Sequence, residues 1–135
     1  MRFLDTNILL YSISVSPNEI KKRDVARRLI DERKIGLSVQ VLQEFYVQAT
    51  RTTRAGAMQH EEAVAFIANW MRFPVQEMTL PVLRKALDLK DRHSLSYWDA
   101  AVVAAASVLG CNELLSEDMA HGMRIGDVTI RNPFR

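Results

Sequence analysis

The sequence predicts an α/β domain in which a mainly parallel central sheet of about five strands lies between layers of helices. Short apolar runs typical of buried strands recur along the chain, and segments of ten or more residues with helical periodicity separate them. Strands that alternate with helices in this way form parallel sheets covered by helices. The 135 residues match the usual size of one domain, so we expect residues 1–135 to form a single unit.

The first half of the chain contains two predicted strands, at residues 2–5 and 35–38. Thr6-Asn7 turns the chain after the first strand, and residues 8–11 form a helical turn. Ser16-Pro-Asn-Glu19 predicts a capping box that opens an amphipathic helix. Ser38 is expected to cap a helix from Val39 to about Thr50. A basic loop at 51–56 and a helix at 60–72 follow. Each of these three helices has an apolar face that is expected in the core. The faces are Val25, Ala26, Leu29 and Ile30 in the first helix; Leu42, Phe45, Tyr46 and Ala49 in the second; and Ala63, Phe66, Ile67, Trp70 and Met71 in the third.

The second half contains three further predicted strands, at residues 74–79, 111–116 and 127–131. A helix from Leu80 to about Lys90 separates the first two, with Leu83, Ala86, Leu87 and Lys90 one turn apart. After a polar connection at 91–96, the segment 97–110 is rich in alanine and valine. It predicts a helix that is buried on nearly all sides and ends at Gly110.

Composition leaves the partner open. The formal net charge is +2 and hydrophobic residues make up 48% of the chain, values that permit an anionic partner without requiring one. Cys111 is the one cysteine, which excludes an internal disulfide and fits a reduced compartment. Asp5 interrupts the start of the chain before a signal peptide could form, and the apolar run 100–110 is too short to span a bilayer. We therefore expect a cytoplasmic protein without a membrane partner.

Three carboxylates are expected at one edge of the predicted sheet. Asp5 closes the first strand, Asp118 follows the fourth, and Asp99 opens the buried helix. The carboxyl ends of parallel strands and the starts of the helices that follow them share an edge, where ligands bind. Glu44, one turn into the helix after the second strand, is close enough to join them.

Several carboxylates in one pocket repel one another, and a hard divalent cation resolves that conflict. Mg²⁺ prefers oxygen ligands and is held by one or two carboxylates beside substrate phosphates. Such an ion can activate water and neutralise charge on a phosphodiester. The pattern therefore favours metal-assisted chemistry without a catalytic Ser, His or Cys.

Each carboxylate also has a local explanation. Asp99 lies three residues after Ser96 and suits the first turn of a helix. Asp5 fits a turn, and Asp118 fits a solvated loop or a helix cap. A helical wheel places Glu44 nearly opposite the apolar face, where an exposed glutamate is ordinary. Their joint occurrence at the predicted crevice is what favours a site.

The chain resembles the PIN domain family. The resemblance covers nearly the whole chain and is carried by four segments in this order: Leu4-Asp5-Thr6-Asn7, Glu44, Tyr97-Trp98-Asp99-Ala100 and Leu115-Ser116-Glu117-Asp118-Met119. The size also resembles VapC, the toxin half of bacterial and archaeal toxin–antitoxin pairs.

This resemblance implies a Mg²⁺- or Mn²⁺-dependent endoribonuclease that cleaves RNA. It further implies a homodimer and an antitoxin that inserts a segment over the active site. By the same resemblance, the acidic metal site comprises Asp5, Glu44, Asp99 and Asp118, and the residues that line it are Thr6, Asn7 and Ser116.

Cations near the acidic pocket are candidates for phosphate binding. Arg51 and Arg54 follow the Glu44 helix in a loop and are the first candidates. The denser run of Lys and Arg at residues 21–28 is more typical of a solvated helix face.

Histidines and tryptophans carry weaker signals. His93, just before the Asp99 helix, and His121, after Asp118, are more typical of surface residues than of catalytic ones. Trp70 and Trp98 are expected in the core or at a dimer interface rather than as base-stacking platforms.

Two other functions stay open on the residues alone. The acidic pocket of a non-catalytic module could dock a basic segment of a partner protein. A PIN nuclease could also process RNA or act on DNA outside a toxin–antitoxin system.

Overall fold

One mixed sheet lies between helices in the computed structural model, which describes residues 1–32 and 34–135. Across those residues there are six strands and six α-helices. The strands are β1 (Arg2–Leu4), β2 (Ile35–Ser38), β3 (Val75–Gln76), β4 (Glu113–Leu115), β5 (Arg124–Ile125) and β6 (Val128–Arg131). The helices are α1 (Thr6–Ser12), α2 (Ile20–Ile30), α3 (Val39–Ala49), α4 (His60–Trp70), α5 (Leu80–Arg92) and α6 (Tyr97–Leu109), with a 3₁₀ turn at Pro17–Glu19.

The strand order is β3-β2-β1-β4-β6-β5, with β1 and β4 at the centre. All neighbouring pairs are parallel except β5–β6, which is an antiparallel hairpin. The predicted α/β class with a mainly parallel sheet is therefore confirmed. Strand β5 is not predicted from the sequence, because a two-residue strand is too short to show an alternating pattern. Its turn contains Gly126, whose φ of 61° favours glycine.

Helix α6 is the most deeply buried helix of the described chain, as predicted. Every residue from 100 to 106 is buried, and the helix packs against α5, β2 and β3. Small alanine side chains permit this close packing on several sides at once. Gly110 ends the helix in the left-handed conformation, with a φ of 90°. The helix therefore holds its first turn, including Asp99, in a fixed position.

The predicted start of the first long helix is correct in position, because Ser16 is the N-cap of the 3₁₀ turn that leads into α2 and Pro17 is its first residue. The capping box itself is wrong: Ser16 makes no side-chain capping bond, and the Oγ of Ser14 donates to Oε1 of Glu19 at 2.5 Å and accepts from the N–H of Ser16 at 3.2 Å. Ser14 therefore takes the bonds that the capping box would make. Helix α1 begins at Thr6, directly after β1, instead of following a turn.

The predicted core faces hold with three exceptions, Leu87, Met71 and Phe66, of which Phe66 on α4 is 38% exposed. In α5 the buried stripe is Val82, Ala86 and Leu89, whereas Leu87 is 53% exposed; the register of the apolar pattern was misjudged. In α4, Met71 at the end of the helix is exposed, while Trp70 is buried against Phe45 with ring centroids 4.6 Å apart. In the part of the chain that is described, no helix combines the length and the apolar character that crossing a bilayer requires.

Candidate acidic active site

A cavity of about 220 Å³ lies where β1 and β4 end and α6 begins. Its walls bring together the four predicted carboxylates, from four separate parts of the sequence. Among the described residues that line it there is no Lys, Arg or His. The carboxylates are Asp5, Glu44, Asp99 and Asp118.

Asp5 is the most deeply buried of the four and links β1 to α1. Its N–H donates to the carbonyl of Leu115 at 3.0 Å, which ties it to the end of β4. Its Oδ1 accepts from the N–H of Thr6 at 2.8 Å, and its Oδ2 accepts from the Oγ of Ser116 at 2.8 Å. The Asp5 carboxylate is therefore fixed on both oxygens and only 8% of the residue is exposed.

Ser116 connects three site residues from below the cavity and is fully buried. While it donates to Asp5, its Oγ accepts from Asn7 Nδ2 and from the N–H of Asp118, each at 3.3 Å. Asn7 Nδ2 also donates to Asp118 Oδ2 at 3.1 Å, and the N–H of Glu117 donates to Asn7 Oδ1 at 3.3 Å. Ser116, predicted as a lining residue, thus positions the carboxylates instead of facing the cavity.

A Ser116→Ala variant is expected to lose about 1–3 kcal/mol of unfolding free energy, because the buried Asp5 carboxylate loses a donor and the partly buried bonds from Asn7 and Asp118 lose their acceptor. If the chain is a nuclease, its activity should also fall by about 10- to 100-fold, as expected for a partner that orients a site carboxylate. Urea denaturation and initial cleavage rates measure the two effects. Ser107→Ala, which alters a hydroxyl farther along α6, is the matched control. Equal stability and activity in the two variants would contradict this role.

Glu44 is held at the site by Thr6 of α1 and by Gln40, one turn earlier on its own helix α3. The Oγ1 of Thr6 donates to its Oε2 at 2.7 Å, and Gln40 Nε2 donates to its Oε1 at 3.0 Å. The same amide nitrogen of Gln40 donates to the carbonyl of Trp98 at 3.2 Å. Glu44 is therefore half-buried and bonded, not the free surface glutamate that the helical wheel favours. Gln40, which joins α3 to α6, is not predicted from the sequence because it belongs to no recognisable motif.

Asp99 has both of the roles considered from the sequence. Its N–H donates to the Oγ of Ser96 at 3.1 Å, so Ser96 caps α6 as predicted. Its carboxylate is half-buried and lines the cavity with Asp5. The backbone serves the cap and the side chain faces the crevice.

The electrostatics show how unfavourable four neighbouring carboxylates are. Burial raises the pKa of Asp5 from 3.8 to about 6; hydrogen bonds from Ser116 and Thr6 oppose the rise, and the charges of Glu44 and Asp99 add to it. Burial raises the pKa of Asp99; a hydrogen bond from the Ser96 side chain opposes the rise, and the charges of Asp118 and Glu44 add to it. Both shifts are those of a site that lacks a compensating positive charge.

A second cavity of about 190 Å³ adjoins the first, and the two share Asn7, Leu10 and Asp118. Arg54 lines this second cavity, which also reaches Tyr11. Of the two predicted phosphate-binding arginines, the structure thus brings Arg54 beside the acidic site. Arg51 is exposed and lines neither cavity.

Part of the basic run on α2 is occupied by structural contacts. Lys22 Nζ donates to Glu117 Oε2 at 2.5 Å and lies 5.0 Å from the ring centre of Tyr11, whose hydroxyl donates to Glu117 as well. Arg27 Nε donates to the carbonyl of Ser12 at 2.9 Å. The contacts of Lys22 and Tyr11 with Glu117 stabilise the loop that carries Asp118.

The two histidines considered lie outside the acidic cavity. His121 Nδ1 accepts from the N–H of Asn132 at 2.9 Å, a bond that holds the C-terminal segment. His93 ends α5 and lines neither cavity.

The donor set suits a hard divalent cation. It consists of carboxylate oxygens, and the raised pKa values of Asp5 and Asp99 mark a place where positive charge is favourable. Within the described residues, no three His, Cys, Asp or Glu side chains are grouped closely enough to ligate one ion together. The fit is therefore to an ion such as Mg²⁺, which keeps several waters and binds one or two carboxylates directly.

The fold and site define a class: a small parallel-sheet α/β protein with an acidic cavity at the ends of its central strands. The PIN domain profile matches residues 2–121. The chain belongs to the PIN domain family.

Solved structures share this fold at low sequence identity. A toxin–antitoxin complex from Klebsiella pneumoniae matches with a TM-score of 0.70 and 17% identity, over 98% of each chain. FitAcB from Neisseria gonorrhoeae matches with a TM-score of 0.70 and 17% identity, over 99% of each chain. VapC20 from Mycobacterium tuberculosis, described as a sarcin–ricin loop cleaving toxin, matches with a TM-score of 0.66 and 20% identity, over 84% of this chain and 87% of that one. No curated protein matches the sequence significantly.

Proposed function

We propose that this protein is a divalent-metal-dependent endoribonuclease and the toxin of a toxin–antitoxin pair. The observation that carries the nuclease is the cavity lined by four carboxylates with no cationic side chain among its described lining residues. Membership of the PIN family and the likeness to a toxin that cleaves the sarcin–ricin loop support RNA as the substrate.

Asp5 and Asp99 would hold Mg²⁺ or Mn²⁺, because both carry raised pKa values in the same cavity. When bound, the cation supplies Lewis-acid stabilisation of a phosphodiester and lowers the pKa of water. Glu44 and Asp118 complete the negative charge around it. Thr6 and Asn7 fix these carboxylates by hydrogen bonds, so the site is organised before substrate binds.

The adjoining cavity supplies a place for the RNA backbone. Arg54 lines it together with Glu19 and Glu117, and the two cavities are continuous through Asn7 and Asp118. A guanidinium in this position would bind a phosphate that flanks the cleaved one. Arg51, more exposed on the same loop, would contribute only longer-range attraction.

Cleavage of RNA by the purified chain, free of any antitoxin, tests the proposal. With Mg²⁺ or Mn²⁺ present, total cellular RNA should yield discrete new ends, and a chelator should abolish them. Asp5→Asn protein purified in parallel controls for contaminating nucleases. Absence of cleavage with either metal, or equal cleavage by the Asp5→Asn protein, would overturn the nuclease function.

The toxin role needs a separate test. Structural relatives include toxin–antitoxin complexes, and by the resemblance we expect a homodimer and an antitoxin segment over the active site. Expression in the bacterial cytoplasm should arrest growth, and co-expression of the protein encoded by a small neighbouring gene should restore it. Cleavage in vitro without growth arrest would instead favour a role in RNA processing.

A further inference from the structure

We propose that Trp98 is a stacking platform for a nucleobase next to the cleaved phosphate; this inference rests on the proposed function. Of the two places expected for Trp98, the core and a dimer interface, the core is wrong, because the residue is 64% exposed. It forms part of the wall of the acidic cavity. Of the described large apolar side chains that are exposed, Trp98 alone lines that cavity.

The backbone of Trp98 is anchored, and its ring contacts the ring of Tyr97. Trp98 lies in the first turn of α6, directly before Asp99, on the most deeply buried helix of the described chain. Its carbonyl accepts from Gln40 Nε2 at 3.2 Å, and the same nitrogen holds Glu44. Its ring packs edge-to-face with that of Tyr97, with centroids 5.2 Å apart at 76°. These contacts restrict the orientations of the ring, which lowers the entropic cost of ordering it when it binds a base.

The chemistry of the rim favours a base over a phosphate at this point. Away from the proposed cation, a phosphate beside Asp99 and Asp118 would be repelled by their charges, whereas a neutral base has a π-face that stacks on indole without regard to sequence. The adjoining cavity shares Asn7 and Leu10 with the acidic one, and Arg54 lines it together with Glu19 and Glu117. The two cavities suit a single strand that places a base on Trp98, the cleaved phosphate at the cation held by the carboxylates, and a flanking phosphate at Arg54.

The two tryptophans of the chain make this testable by intrinsic fluorescence. Trp70 is 2% exposed and serves as an internal reference, while Trp98 is open to solvent. We would titrate Asp99→Asn protein, in chelator and low salt, with a ten-nucleotide single-stranded RNA. The RNA should quench the emission of Trp98, and the added change Trp98→Phe should abolish that quenching while leaving affinity within a few-fold.

Replacement of the ring tests the binding contribution. In the same background, Trp98→Ala should weaken binding by about 10- to 100-fold, the range that corresponds to loss of one stacked base. An RNA of the same length with abasic positions should bind the parent and Trp98→Ala proteins equally. In the active protein, Trp98→Ala should raise KM by a similar factor and leave kcat nearly unchanged. Because the side chain is exposed, thermal unfolding should show that the variant remains folded.

Failure of this inference is distinguishable from failure of the nuclease function. If wild-type protein cleaves RNA and Trp98→Ala has the same KM and affinity, the platform is overturned and the nuclease stands. If Trp98→Ala changes only the oligomeric state in sedimentation, Trp98 belongs to a protein interface and the proposal is again overturned. If the wild type does not cleave but RNA still quenches Trp98, the nuclease function fails and the base site stands.

Discussion

An Asp99→Asn variant is expected to cleave RNA about 1,000-fold more slowly than the wild type, a loss of about 4 kcal/mol in transition-state stabilisation. The change removes a charge from the proposed metal site while preserving the size of the side chain. It also preserves the cap of α6, because that bond uses the backbone N–H of Asp99. Initial rates in saturating Mg²⁺ and the free energy of unfolding in urea measure the two properties separately.

The matched control is Ser96→Ala, which removes the capping hydroxyl and keeps the carboxylate. It should lose about 1 kcal/mol of stability, as is usual for a lost N-cap. Below its unfolding transition it should retain most of its activity. The account would be contradicted if Asp99→Asn kept its rate within a few-fold, or if Ser96→Ala lost activity as severely while folded.

Asp5→Asn is expected to make the metal-free protein more stable at neutral pH. The folded pKa of Asp5 is about 6, against 3.8 for the ordinary group, so the folded state binds more protons between these values. The free energy of unfolding therefore falls as pH rises through that window. The loss is about 3 kcal/mol for roughly two pKa units, and it is complete above pH 6. Below pH 3.8 both states are protonated and the loss vanishes.

Urea denaturation in chelator at pH 5 and pH 7.5 measures this effect. The wild type should lose about 1–2 kcal/mol more than Asp5→Asn between these two conditions. Addition of Mg²⁺ at pH 7.5 should stabilise the wild type and leave Asp5→Asn unchanged, because an ion that binds only the folded state stabilises it. Asp91→Asn, at an exposed position on α5, controls for a general change in charge. An Asp5→Asn protein that is less stable than the wild type at pH 7.5 would contradict the account.

The convergence of Asp5, Asp99 and Asp118 follows from the sequence because it depends on topology alone. Once strands and helices alternate, the ends of β1 and β4 and the start of α6 must share one edge of the sheet. The buried character of α6 is equally visible, since small apolar residues occupy every position from 100 to 106.

Features that depend on contacts between elements were not predictable in this way. A helical wheel considers only the direction of the Glu44 side chain on α3. The hydrogen bonds that its carboxylate accepts from Thr6 on α1 and from Gln40 on α3 are visible only in the structure. The same limit applies to Trp98: an aromatic residue beside a buried helix is expected in the core or at a dimer interface, and its exposure and its position at the cavity rim are visible only in the structure. The predicted capping box is replaced by a bond that no motif indicates, since the hydroxyl of Ser14 donates to Glu19.

Calorimetric titration of the metal-free protein with Mn²⁺ measures whether the acidic cavity is a divalent-metal site. We expect saturable binding of one or two ions by the wild type and its loss when Asp5 and Asp99 are both replaced by Asn. Circular dichroism of the double variant would show that its fold is intact. Binding that is absent from the wild type, or undiminished in the folded double variant, would contradict this expectation and favour an acidic docking module.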